Sequence, residues 1–232
     1  SFPPVRIKVA ENGDIYVGGP AVLAHLNSKG RTLDSARART SEIPKSKASG
    51  IAVTPEYIFA SFGSGWSLRS RDQVVRLNRD LSDPTIIAKN LRGCCQRLDL
   101  AAKDGVLYAA ENARYRVLRL DNTGTVLSKW GEKSRRDPAG FGSCCNPMNL
   151  AFGPDGMLYT AESGLGRVKR YKTDGTFLGL VGEVGVQRFT RPGRLAASCS
   201  NITIDISADG SRVYVQDVKD NVIRVLKKKS PE

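Results

Sequence analysis

Histidine is almost missing from this chain. There is one, His25, and that scarcity closes most routes to acid–base and metal chemistry. A three-histidine zinc site cannot be built. Serine–histidine or cysteine–histidine catalysis would have to use His25, and no serine or cysteine near it forms a nucleophile signature. There is no Walker loop, no dinucleotide fingerprint and no EF-hand loop. No apolar run approaches the ~18–20 residues that cross a bilayer, so no membrane span is expected. No signal-peptide pattern is visible either, and because the chain starts at Ser1 without an initiator methionine, a mature or trimmed form is expected. Aromatic residues make up 7% of the chain, too few for base-stacking platforms. No stretch has the 3.6-residue periodicity of an amphipathic helix of useful length.

What remains is an ordinary globular composition, 40% hydrophobic and 25% charged over 232 residues, which suits a single domain spanning 1–232. The net charge is +13, from 36 Lys plus Arg against 23 Asp plus Glu. Such a balance favours anionic partners. The basic residues are spread along the chain, densest at Lys133-Ser134-Arg135-Arg136 and Lys227-Lys228-Lys229. They read as solvated loops, so an acidic protein partner is expected and specific nucleic-acid binding is not.

Internal repeats organise the sequence. An anchor of the form (Asp/Asn)-Gly-x-(Leu/Ile)-Tyr occurs at Asn12–Tyr16, Asp104–Tyr108 and Asp155–Tyr159, with a one-residue expansion at Asp209–Tyr214 and a weaker copy at Pro55–Phe59. Each anchor reads as a hairpin: an alternating run, a tight Asp-Gly or Asn-Gly turn, then a β-rich run. A second hairpin follows. In the third repeat it is Arg116–Leu120, the turn Asp121-Asn122-Thr123-Gly124, and Thr125–Trp130; in the fourth it is Arg167–Tyr171, Lys172-Thr173-Asp174-Gly175, and Thr176–Val181. Four short antiparallel strands at a period of roughly 40–50 residues are the pattern of a β-propeller blade. Five units are visible, so five or six blades are expected. The last unit looks short of a strand after Val222–Leu226, and Phe2–Val5 is a candidate to supply it.

The stretch Ala110-Glu111-Asn112-Ala113-Arg114-Tyr115-Arg116-Val117 resembles the NHL repeat, in which an acidic residue is followed, after four others, by Arg and a β-branched residue. Ala161-Glu162 through Arg167-Val168 matches too, while Gln216-Asp217 keeps the acid but has Val222 in place of Arg. The resemblance covers about 91–228 strongly. It is weaker over 5–90, where Gly18-Gly19 and Ser61-Phe62 stand at the acidic place. The resemblance implies an all-β propeller of NHL type, in which Glu111, Glu162 and Asp217 brace turns and do not catalyse.

The cysteines are not part of that pattern. Cys95, Cys145 and Cys199 each stand three residues before an apolar residue that opens a short alternating run, and Cys94 and Cys144 precede two of them. In stacked repeats, equivalent positions form a ring, so these sulfurs are expected at one mouth of a central channel. Three readings stay open. Thiolates suit Zn, Cu(I) or an iron–sulfur cluster, making Cys94, Cys95, Cys144, Cys145 and Cys199 candidate metal ligands. Cross-repeat disulfides would leave one thiol over. Buried thiols acting as small apolar residues are the third reading.

The functional expectation is a non-catalytic binding propeller with a thiolate-ligated metal or iron–sulfur centre. It would be an electron-transfer or cofactor-holding module with a redox or acidic protein partner, in an extracytoplasmic (periplasmic or secreted) assembly. The alternatives are a disulfide-stapled interaction scaffold, an RNA-binding NHL domain and a propeller enzyme.

Overall fold

Short β-rich runs separated by Asp-Gly and Asn-Gly turns fold as antiparallel meanders. The computed structural model describes residues 6–37, 43–63, 71–94, 97–134, 136–143, 145–184, 190–191, 194–195, 202–217 and 221–228. The first sheet has the order β1 (Arg6–Val9), β2 (Ile15–Gly19), β3 (Val22–Leu26), β4 (Thr32–Arg37). The second runs β5 (Ala48–Val53), β6 (Tyr57–Phe62), β7 (Asp72–Asn78), β8 (Thr85–Leu91). The third is β9 (Leu100–Lys103), β10 (Val106–Glu111), β11 (Arg116–Leu120), β12 (Val126–Trp130), and the fourth is β13 (Asn149–Phe152), β14 (Leu158–Glu162), β15 (Arg167–Tyr171), β16 (Phe177–Glu183). Two short strands, β17 (Thr190–Arg191) and β18 (Arg194–Leu195), pair with each other. The fifth sheet holds three strands among the described residues: β19 (Ile202–Ile206), β20 (Arg212–Asp217) and β21 (Val222–Lys227). Phe2–Val5, the candidate fourth strand, lies outside the described residues.

Every sheet pairs sequential neighbours, so each strand lies beside the next in the chain. Register puts hairpin partners face to face. Asn149 to Phe152 lie opposite Ala161 to Leu158, and Leu158 to Glu162 opposite Tyr171 to Arg167. Alternation then sorts side chains between the two sides of the sheet. The sequence boundaries agree to within two residues for the second hairpins of the third and fourth repeats.

The chain divides into two compact bodies, Ser1–Ala109 with Arg119–Leu127 and Ala110–Leu118 with Ser128–Glu232. The core of the first gathers Tyr16, Leu23, Ile51, Ile58, Phe62, Val75 and Leu77. Each large apolar side chain fully buried in this way contributes about 1.5–3 kcal/mol. In the second body, Trp130, Phe141 and Phe177 surround Tyr171, with ring centroids 4.8, 6.0 and 5.4 Å from it.

Turns between third and fourth strands reach back onto the preceding sheet. A Cβ built on Gly124 would meet the Ile87 carbonyl, and one on Gly175 the Trp130 ring; both glycines have positive φ, 92° and 96°. The Asp121–Gly124 and Lys172–Gly175 turns therefore tolerate only glycine at their last position, for close approach as well as for backbone conformation.

Candidate functional site

The repeated acids come first, because they most resemble catalysts. Glu162 ends β14 and Arg167 begins β15, and the two are direct cross-strand partners. This is why the i, i+5 spacing brings them together. The buried Glu162 carboxylate accepts from the Gly142 amide (2.7 Å) and from Arg167 Nε (2.6 Å), and Lys169 Nζ stands 3.5 Å away. Glu111 accepts from Arg116 Nε (2.5 Å) and Arg114 (2.9 Å). Both glutamates are local braces. Asp217 belongs to β20, but its side chain lies outside the described residues.

The second sheet moves its acid. Ser61 and Phe62 stand at the usual acidic place, and the buried Asp72 at the start of β7 accepts from the Gly93 amide at 2.6 Å. Sequence reading missed Asp72 because its spacing from the anchor differs and its partner lies on a later link. Ser61 Oγ in turn donates to the Leu98 carbonyl at 2.5 Å.

Nothing in the local sequence marks Lys169 as buried. It sits in an outwardly basic run, Arg167-Val168-Lys169-Arg170, yet its side chain is fully buried. Nζ donates to the carbonyls of Pro138 (3.1 Å) and Gly140 (2.6 Å) and lies 4.6 Å from the Phe141 ring centroid. Desolvation lowers its pKa to about 8, with Glu162 acting in the opposite direction.

His25 is enclosed. Its Nε2 is 3.1 Å from Asp14 and its Nδ1 3.3 Å from Asp34, and its ring stacks on Tyr16 at 4.6 Å.

Of the five cysteines, the structure describes two. Cys94 and Cys145 are both buried and stand on the links that lead into β9 and β13. Ser143 and Cys145 have left-handed backbones, at φ 60° and 58°. Cys95, Cys144 and Cys199 lie outside the described residues. Among the described residues, no three His, Cys, Asp or Glu side chains gather as a metal site.

The second body also carries an open cleft of about 800 Å³, between β16 and the end of β21. Leu178 to Val181 of β16 form one wall; Asp155, Tyr159 and Arg170 come from the same sheet; Asp209 to Ser211, Leu226, Lys227 and Lys228 come from the fifth. The carboxylates are occupied internally. Asp155 accepts from the Met157 amide (3.0 Å) and Tyr159 Oη (3.1 Å), with Arg170 Nε at 3.5 Å. Asp209 accepts from the Ser207 hydroxyl (2.6 Å) and from the Ser211 amide and hydroxyl (3.0 and 2.9 Å), bonds that hold its pKa far below the usual carboxylate range. The cleft presents basic and apolar groups. In the sequence Lys227-Lys228-Lys229 reads only as a solvated basic loop.

No family model and no curated protein matches the chain. Solved structures do. A streptogramin B lyase structure aligns over 97% of this chain and 68% of its own, at 18% identity and a TM-score of 0.56. A catalytically inactive histidine-to-alanine variant of virginiamycin B lyase from Staphylococcus aureus, with quinupristin, aligns over 95% and 68% at 13% identity and 0.56. A chain of the mitotic checkpoint complex aligns over 96% and 62% at 11% identity and 0.58. At these identities the likeness is one of fold, and with the five sequential sheets it makes the chain a five-bladed β-propeller.

Proposed function

We propose that the protein is a non-catalytic interaction module, a propeller of NHL type that binds an acidic polypeptide partner. One contrast carries this reading: the residues suited to acid–base work are tied into local pairs, whereas the cleft at β16 and β21 opens to solvent with lysines at its rim. Glu111 and Glu162 each neutralise their own sheet's arginine. His25 is shut between Asp14, Asp34 and the Tyr16 ring. The lyase variant named above is inactive without one histidine, and the single histidine here supports no equivalent role.

The test compares anionic ligands at ~150 mM salt, where the Debye length is about 8 Å. Fluorescein-labelled glutamate-rich peptides and an oligouridylate of equal charge are titrated by anisotropy. The peptides are expected to bind and the oligouridylate to lose its affinity, because sequence-independent phosphate contacts weaken steeply with salt. Tight oligouridylate binding, or no peptide binding at all, overturns the reading.

A thiolate centre is the second reading. It rests on two cysteines, Cys94 and Cys145, both buried on the links that lead into successive sheets. Metal analysis of the purified protein tests it, together with thiol counting on metal-free, unreduced protein. Bound metal that is released by Cys145→Ser supports it; a single reactive thiol and no metal assigns the cysteines to disulfides.

A further inference from the structure

One cross-strand position carries a cation in three successive sheets. Arg76 lies opposite Phe59 and over the Tyr57 ring, Arg119 lies over the Tyr108 ring, and Arg170 lies opposite Tyr159. The first sheet keeps the aromatic residue, Tyr16, and places His25 opposite it, with the two rings stacked at 4.6 Å. In the fifth sheet Val225 stands opposite Tyr214. His25 thus takes an arginine's place with a side chain whose charge can be lost near neutral pH. Arginine stays protonated, whereas histidine ordinarily titrates between about pH 5 and 8.

The surroundings of His25 suit the charged ring. Asp34, its direct partner on β4, lies 3.3 Å from Nδ1, and Asp14, in the turn before β2, lies 3.1 Å from Nε2. The second contact is an ion pair and not an aligned hydrogen bond. Opposite ring nitrogens therefore face two carboxylates. Only the imidazolium has a proton for each of them, and a neutral ring turns a lone pair toward one. The two acids are not equally fixed. Asp14 Oδ2 also accepts from Asn12 Nδ2 at 2.8 Å and has Arg79 at 3.8 Å, while the Asp34 side chain is 43% exposed. A carboxylate that can turn into water gives way first, so a neutral ring keeps Asp14 and lets Asp34 go. The register of β3 and β4 shifts between His25 and Leu26, so this pair stands at an irregular point of the ladder.

The remaining groups around the ring keep their charge while histidine titrates. Asn12, and after it His25 and Arg79, hold the Asp14 carboxyl below its usual range. Bonds from Ser82 do the same for Asp80, in the turn after β7. Burial raises the Tyr16 hydroxyl, which stays neutral, and the Arg79 guanidinium donates to its oxygen at 2.8 Å.

We propose that His25 is a proton switch on the edge strand of the first sheet: the charged ring ties β4 to β3 through Asp34, and loss of its proton releases that strand. β4 then loosens as pH rises through the histidine range, while Asp14, Tyr16 and the Arg79 turn hold their places.

The chain has a single histidine, so its ring nitrogens give one unambiguous set of NMR signals. The test follows those signals, and amide exchange over Thr32–Arg37, from pH 5.5 to 8. Exchange is corrected for its own dependence on pH, and β8 serves as the control edge strand. The ring is expected to carry both protons at pH 5.5 and only the Nε2 proton at pH 8. Exchange in β4 should quicken by about two- to fivefold over the same range, the effect of one part-exposed ion pair, and exchange in β8 should not. His25→Arg, which installs the residue of the following sheets, should make β4 insensitive to pH. Asp34→Asn, which leaves the buried ring in place, should do the same while the ring still titrates. A neutral ring at pH 5.5, exchange in β4 that does not change with pH, or equal quickening in β8 overturns the proposal. So does a pH response that survives in either variant.

Discussion

Burying an amine against carbonyls and rings leaves a pH signature, and Lys169 should show it. Its side chain is fully buried, with Nζ held by the Pro138 and Gly140 carbonyls and 3.5 Å from Glu162. Desolvation takes its pKa from 10.5 to about 8, against the pull of Glu162. The sign follows from proton counts. Between pH 8 and 10.5 the unfolded chain holds a proton at this site that the folded chain has released, so stability rises with pH. Below pH 8 both states are protonated, and the cost of burying the charge is felt in full. One pKa unit corresponds to 1.36 kcal/mol, so the rise from pH 8 to 10 is roughly 2–3 kcal/mol. Tyr171 acts the other way. Its hydroxyl donates to the Ala139 carbonyl at 2.9 Å and burial raises its pKa, so it costs stability once free tyrosine ionises above pH 10. The measurement therefore stops at pH 10. Urea unfolding of the wild type and of Lys169→Met at pH 8, 9 and 10 isolates the lysine. Relative to the variant, the wild type should gain roughly 2–3 kcal/mol across that range. Parallel profiles would refute the argument, because they would mean that the amine keeps its ordinary titration and is not desolvated.

Glu162→Gln should destabilise by roughly 3–5 kcal/mol in urea unfolding, because it strands two poorly solvated cations, Arg167 and Lys169. Glu111→Gln should cost less, since Arg114 is nearly half exposed and water takes over part of its solvation; equal losses would show that burial of the cations is not what matters. Gly175→Ala should lower stability by roughly 1–3 kcal/mol through strain and the clash with Trp130, whereas Gly105→Ala, at φ 73° with open space around it, should lose only the conformational part, about 1–2 kcal/mol. A reversed order in thermal melts would contradict the turn-docking geometry. Asp72→Ala should cost roughly 1–3 kcal/mol, because the buried Gly93 amide loses this acceptor; an unchanged melting temperature would show that the shifted acid is dispensable.

Local rules were readable in advance and long-range ones were not. The hairpins follow from alternation and turn chemistry within about ten residues. The Glu162–Arg167 brace follows as well, because i and i+5 across a tight hairpin link are direct neighbours. Asp72 fails this test: its partner, the Gly93 amide, sits 21 residues away, and no local spacing links them. Lys169 fails for the same reason. Its partners are carbonyls at Pro138 and Gly140, and in the basic run Arg167-Val168-Lys169-Arg170 nothing marks the one residue that a remote loop will cover. The cysteines show a further limit. Their repeat spacing assigns equivalent places, but equivalence in sequence does not by itself give convergence in space. The fifth repeat differs from the earlier ones in its sequence after the third strand. The third-to-fourth-strand turns read Asp121-Asn122-Thr123-Gly124 and Lys172-Thr173-Asp174-Gly175, and at the matching place the chain reads Lys227-Lys228-Lys229-Ser230. Among the described residues the fifth sheet has three strands, and Ile223 on β21 is exposed where Val117 and Val168 are buried. Lys227 and Lys228 of that run line the cleft beside Tyr159. A Lys227→Glu, Lys228→Glu reversal should therefore abolish the binding of glutamate-rich peptides while leaving the melting temperature unchanged, and unchanged peptide affinity would show that the cleft's lysines do not set its partner.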